Sequence, residues 1–210
     1  MSRSSSGAFI VLDGIDGCGK TLHSKDLCWK LRGCGFDAAY TTEPSYGHVG
    51  KLIRSKFFGE KIRPEVEALL FAADRFEHLS NKIIPWLEAG RVVVSDRYVY
   101  ASIAYQGAQG VALDWIRKMN CYAPKPDLAI YLDVPAEIGL ARIERRKTVF
   151  ENIKLQSAVR QIYLELVRGG ELTMVDATGP IHEVRHEILT LVLRKLEQKG
   201  VARAQRGRQL

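Results

Sequence analysis

The chain has 210 residues, 46% hydrophobic and 26% charged, with a formal net charge of +7; this suits one globular α/β domain with a substantial core and argues against a disordered or fibrous chain. No apolar run approaches the ~20 residues needed to cross a bilayer, and the opening MSRSSSG lacks the apolar centre of a signal peptide. Neither a membrane-spanning nor a secreted protein is therefore expected, a cytoplasmic location is, and the basic balance suits anionic ligands such as nucleotides or nucleic acid.

Residues 1–7 read as a disordered N-terminus. Phe9 to Leu12 is a short run of branched apolar side chains, the pattern of a strand buried on both faces. It leads into Gly14-Ile-Asp-Gly-Cys-Gly-Lys-Thr21, which has the spacing of a phosphate-binding loop: glycine, four residues, then Gly-Lys-Thr. Glycines let the backbone turn its N–H groups inward as an anion nest. The helix that follows, with Leu27, Cys28 and Leu31 on one face, adds its N-terminal dipole. The loop residues Gly14, Ile15, Asp16, Gly17, Cys18, Gly19, Lys20 and Thr21 are the expected site for the phosphates of ATP. Lys20 is placed for the β- and γ-phosphates and Thr21 for Mg²⁺.

The four cysteines, Cys18, Cys28, Cys34 and Cys121, form no C-x-x-C pair and join no histidine cluster, so reduced thiols are expected rather than a zinc site. Two readings of Cys18 stand: a thiol activated by loop amides and Lys20, or a small residue that fits.

The first helix is expected to end near Gly33 or Gly35. A second strand covers about Asp37 to Thr42 and stops at Glu43-Pro44. Lys51 to Phe58 reads as a short helix carrying Arg54. Pro64 suits the first turn of a long helix, with Val66, Leu69, Leu70, Ala73 and Phe76 as its apolar stripe. Phe71 and Arg75 lie off that stripe, one turn apart. Together they can stack on and hydrogen-bond a base, or they are a core aromatic beside a surface charge.

Val92 to Asp96 is a third strand, ending in an acid at the edge where open parallel sheets bind ligands. Asp96 can hold Mg²⁺ there, and Arg97 can clamp a phosphate; a structural ion pair is the other reading. Short helices over Ser102 to Gln106 and Leu113 to Asn120 precede a fourth strand, Leu128 to Val134. A helix over Pro135 to Arg146 ends in the basic cluster Arg142, Arg145, Arg146 and Lys147. That cluster either closes over a transferring phosphoryl group or is a solvated helix end. A helix over Asn152 to Val167, a strand over Leu172 to Asp176 and a last helix over Ile181 to Lys199 complete the chain. Strands alternate with helices, so one parallel sheet covered on both faces is expected.

Four blocks resemble thymidylate kinases, the nucleoside monophosphate kinases that phosphorylate dTMP with Mg·ATP: Leu12 to Thr21, Glu67 to Arg75, Asp96-Arg-Tyr98 with Ser102 and Ala104 to Gly107, and Pro126 to Val134. The resemblance implies a five-stranded parallel sheet in a single P-loop kinase domain over 8–199, a lid at about 142–151 and a basic tail over 200–210. It also implies a homodimer; no membrane partner is expected from the lack of a long apolar run, and nucleic acid is the less favoured partner. Phe71 would stack on thymine, Arg75 would bond the base edge, and Arg54 and Arg97 would hold the dTMP phosphate. Asp16 would lie by the acceptor and help place the metal with Thr21 and Asp96. Ser102 would line the base pocket, Tyr105 would pack under the deoxyribose, and the turn from Ala177 to Pro180 would lie by the adenine. Lys20, Asp96 and Arg97, with Arg145 or Arg146 from the lid, would be catalytic.

The chain departs from the family pattern at Asp13, where glutamate is usual, at Thr42, where arginine is common, and at Gly17, where one subgroup carries arginine. Asp13 leaves open a kinase that phosphorylates a nucleoside hydroxyl and needs a carboxylate base. A nucleotide-binding module of low turnover and a tail that binds nucleic acid are the other rivals.

Overall fold

The computed structural model describes residues 7–56, 62–143 and 152–203. Five parallel strands form one sheet in the order β2-β3-β1-β4-β5: β1 Ala8–Asp13, β2 Ala38–Thr42, β3 Val92–Asp96, β4 Leu128–Asp133 and β5 Thr173–Asp176. All six residues of β1 are buried, as expected for a central strand covered on both faces. In register Leu12 lies beside Asp96 and Asp13 beside Tyr131, so the carboxyl ends of β1, β3 and β4 meet at one edge.

The helices are α1 Lys20–Gly33, α2 His48–Lys56, α3 Pro64–His78, α4 Ile84–Glu88, α5 Val99–Ala108, α6 Leu113–Met119, α7 Ala136–Ala141, α8 Ile153–Arg168 and α9 Ile181–Lys199. A π-turn, Leu79–Ile83, joins α3 to α4. Pro64 opens α3 as expected, and Asn152 caps α8 by accepting from the Leu155 amide at 2.9 Å. Beneath the sheet edge Tyr131 and Tyr163 stack at 4.8 Å, and Phe9 meets Tyr98 edge-on at 4.9 Å.

The expected apolar stripe of α3 does not form its inner face, although Phe76 packs on the core. Val66 is 43% exposed, Leu69 51% exposed and Ala73 exposed, whereas Glu67, Asp74, Arg75 and His78 are buried. Each buried polar group has a partner in the fold, which removes the penalty that normally keeps it outside. Asp74 accepts from the Ser45 amide and hydroxyl at 2.7 and 2.6 Å. His78 meets Thr41 at 2.6 Å.

The termini also differ from expectation. Gly7 is buried and donates to the Leu87 carbonyl at 3.0 Å, so residue 7 packs with the domain. Past α9, Val201 packs on the core and Arg203 lies over the Phe36 ring at 5.6 Å. The helix expected to reach Arg146 ends at Ala141, with Arg142 as its cap.

Ile10 is fully buried in the central strand. Ile10→Ala is expected to lower unfolding stability by about 2–5 kcal/mol, read as a lower urea midpoint at unchanged slope.

Candidate active site

β1 delivers the phosphate loop and β3 delivers Asp96 and Arg97 to adjacent points on the sheet edge. Gly14, Gly17 and Gly19 have φ of 150°, 77° and 96°, values that a side chain resists. At Gly17 space is also decisive. A Cβ there would lie 1.8 Å from the Gly139 carbonyl of α7, so an arginine at this position would require α7 to move.

Lys20 is buried and donates to the Ile15 carbonyl at 2.7 Å. Its ammonium is thus stored on the loop it would leave for a phosphate. Thr21 donates to the Asp96 carboxylate at 2.5 Å. These two oxygen groups are hard donors that suit Mg²⁺. Among the described residues no three His, Cys, Asp or Glu side chains gather to hold a metal ion, so such an ion would take its other ligands from nucleotide and water.

Arg97 has φ 77°. Its guanidinium pairs with Asp16 and lies 4.9 Å from the centre of the Tyr105 ring. Gln156 grips Asp16 twice: its carbonyl accepts from the Asp16 amide at 3.0 Å and its amide donates to the Asp16 carboxylate at 2.9 Å. Burial favours a raised Asp16 carboxyl, but Arg97 and Lys20 outweigh it and hold the group below its usual 3.8.

These groups line a cleft of about 1010 Å³. One end is formed by Thr42, Arg54, Phe71, Ser102, Tyr105 and Gln106. The other is formed by His23, Arg142, Ala177, Gly179, Ile181 and Val184, with the phosphate loop, Asp96 and Arg97 between. Arg142 donates to the Ala177 carbonyl at 3.1 Å, tying the end of α7 to the turn after β5. Arg54 donates to the Pro44 and Ser45 carbonyls and lies over the Tyr46 ring at 4.7 Å.

Most of the residues singled out from sequence therefore meet in one cleft; Gly14, Ile15 and Arg75 are set back from it. Ile15 is fully buried and contributes its carbonyl to Lys20. Arg75 is 1% exposed and sits behind Ser102, to which it donates at 3.1 Å. It also pairs with Glu43 at 2.9 Å and donates to Asn120 at 2.7 Å. The reading of Arg75 as a surface charge is thus overturned. So is that of Cys18 as an activated thiol, because burial pushes its thiol up despite Lys20 nearby. Arg145 and Arg146 lie outside the described residues.

Sequence reasoning passed over Gln156, Glu43 and Asn120. Gln156 left a signal. It shares the buried face of α8 with Val159, Tyr163 and Leu166, and a polar residue on an apolar stripe has a partner to find. Glu43 and Asn120 are in turns and left none.

The family model described as thymidylate kinase matches residues 12–188. A probable thymidylate kinase of Pyrococcus horikoshii is 44% identical over 200 residues, covering 90% of this chain and 98% of that protein. One of Pyrococcus abyssi is 43% identical with the same coverage. One of Methanococcus maripaludis is 43% identical over 198 residues, covering 90% and 96%.

Because its folded pKa is depressed, Asp16 contributes stability above its unfolded pKa near 3.8 and loses it as pH falls through the folded value. The stability gap between wild type and Asp16→Asn is expected to be flat from pH 7 towards 4 and to shrink below it, measured by urea unfolding at stepped pH.

Proposed function

The chain belongs to the thymidylate kinase family, and from that premise we propose that it transfers the γ-phosphoryl group of ATP to dTMP, giving dTDP and ADP. The observation that carries this reading is a cleft that brings the phosphate loop, Asp96 and Arg97 together with Arg54 and Phe71 and with Ala177. Catalysis of this kind is mostly positioning and charge neutralisation.

The loop amides and Lys20 hold the triphosphate, Lys20 exchanging the Ile15 carbonyl for phosphate oxygens. Thr21 and Asp96, with Asp16 in the same cleft, would hold Mg²⁺ on the protein side, and the ion would supply neutralisation of the phosphate charge. The Ala177 turn receives the adenine. At the acceptor end Phe71 stacks on the base, Ser102 lines the base pocket with Arg75 bonded behind it, and Tyr105 packs under the sugar. Arg54 and Arg97 hold the acceptor phosphate. That phosphate is already ionised at neutral pH, so no general base is needed. The proposal includes a lid over 142–151 that would supply Arg145 or Arg146, both outside the described residues, to the transferring group. Thymine differs from uracil by one methyl, worth only about 1–3 kcal/mol in an apolar pocket, or roughly 10–200-fold in discrimination.

The hydroxyl-phosphorylating alternative needs Asp13 as base. Asp13 is fully buried, does not line the cleft and already accepts three hydrogen bonds, which counts against it. A cytoplasmic location and a homodimer complete the proposal. The exposed Val66 and Leu69 on α3 offer an apolar face for the second copy.

An ADP-release assay with Mg·ATP and dTMP, dUMP, dCMP, AMP or thymidine tests the reaction. Expected is turnover of dTMP on the order of 1–100 s⁻¹, with Arg97→Ala lowering kcat/KM at least about 100-fold, as fits loss of a charge-assisted phosphate clamp. Turnover of thymidine in place of dTMP contradicts it. Leu69→Lys is expected to shift the sedimentation coefficient from dimer to monomer.

A further inference from the structure

Asp13 is a buried carboxylate that the reaction does not use. It ends β1, is fully buried and stands behind the cleft wall. Its Oδ1 accepts from the Gly14 amide at 3.0 Å and from the Tyr163 hydroxyl at 2.6 Å, and its Oδ2 accepts from the Tyr98 amide at 3.3 Å. The three donors come from three places: the phosphate loop, helix α8 and the turn that carries Arg97.

That turn needs holding. Arg97 is at φ 77°, a conformation that persists in a residue with a Cβ only where its surroundings impose it. The Arg97 amide donates to the Leu12 carbonyl at 3.0 Å and Ser95 donates to the Arg97 carbonyl at 2.8 Å. Both of these tie the turn to its own sheet. Besides the Arg97–Asp16 ion pair, the Asp13 carboxylate joins the backbone of the turn to the phosphate loop.

Tyr163 is itself fixed, with its ring stacked on Tyr131 at an interplanar angle of 14°. Gln156, on the same buried face of α8 seven residues earlier, bonds Asp16. Helix α8 therefore reaches Arg97 by two routes, through Asp13 at the neighbouring Tyr98 amide and through Asp16 at its guanidinium.

We propose that Asp13, braced by Tyr163, is a positioning residue that locks the Arg97 turn to the phosphate loop and so sets where the guanidinium meets the acceptor phosphate. The proposal rests on the kinase reading above. Asp13 does not touch substrate; it acts through Arg97.

A kinetic double-mutant cycle tests it. Asp13→Asn keeps the volume but turns a donor toward an amide N–H. Tyr163→Phe keeps the ring stack and removes the hydroxyl, so it serves even where Asp13→Asn does not fold. Each is expected to lower kcat/KM for dTMP by roughly tenfold or more, as for a buried bond lost at a working site, with KM for ATP within about twofold. In an Arg97→Ala background both effects are expected to vanish, because the group they position is gone. Effects that multiply with Arg97→Ala overturn the proposal, as does a Tyr163→Phe enzyme that loses only melting temperature. Wild-type activity in Arg97→Ala alone overturns the kinase assignment of Arg97 and this proposal with it, and is distinguishable because it appears before the cycle is closed.

Discussion

The site depends on one ion pair, Arg97 with Asp16. An arginine charge set into a cleft wall requires a partner, because the low dielectric that strengthens attraction also penalises an unpaired ion. Asp16 supplies the partner from the phosphate loop, so the pair joins two loops that arise on different strands. The sheet order makes this possible by setting β1 beside β3, with Leu12 level with Asp96. Gln156 then fixes the carboxylate from α8. A guanidinium held this way is preorganised for a phosphate, which is where electrostatic catalysis gains most.

A second polar assembly stands behind Ser102 in the cleft wall. Glu43 takes Arg75 at 2.9 Å, and His78 faces the same carboxylate at 3.4 Å. Asn120 takes another arm of Arg75 and is itself tied to the Ile116 carbonyl at 2.8 Å. Such a network is favourable only when its members are satisfied. Among the described residues the buried side-chain atoms without a hydrogen bond are His23 Nδ1, Ser24 Oγ and Arg185 Nε, none of which belongs to it.

How far the sequence discloses this depends on the range of the interactions. The phosphate loop, the five strands and the last helix were legible because short-range pattern dictates them; Ile181 to Lys199 is the same span in both. The inward face of α3 was not. Its periodicity marks two faces but does not say which is buried, and the decision rests on partners 29 to 45 residues away: Ser45 for Asp74, Glu43 and Asn120 for Arg75. For the same reason the roles of Phe71 and Arg75 came from resemblance, and periodicity alone left them open. Asp13 was legible as a departure from the family and opaque as to role, because its partner Tyr163 is 150 residues on.

The most direct test of the central claim, one cleft holding donor and acceptor in line across Arg97, is calorimetric binding of adenosine and thymidine joined 5′ to 5′ by five phosphates. The account predicts one molecule per chain, displaced by ATP and by dTMP alike, with affinity lost in Arg97→Ala. Two molecules per chain, or competition from only one of the two nucleotides, would contradict it.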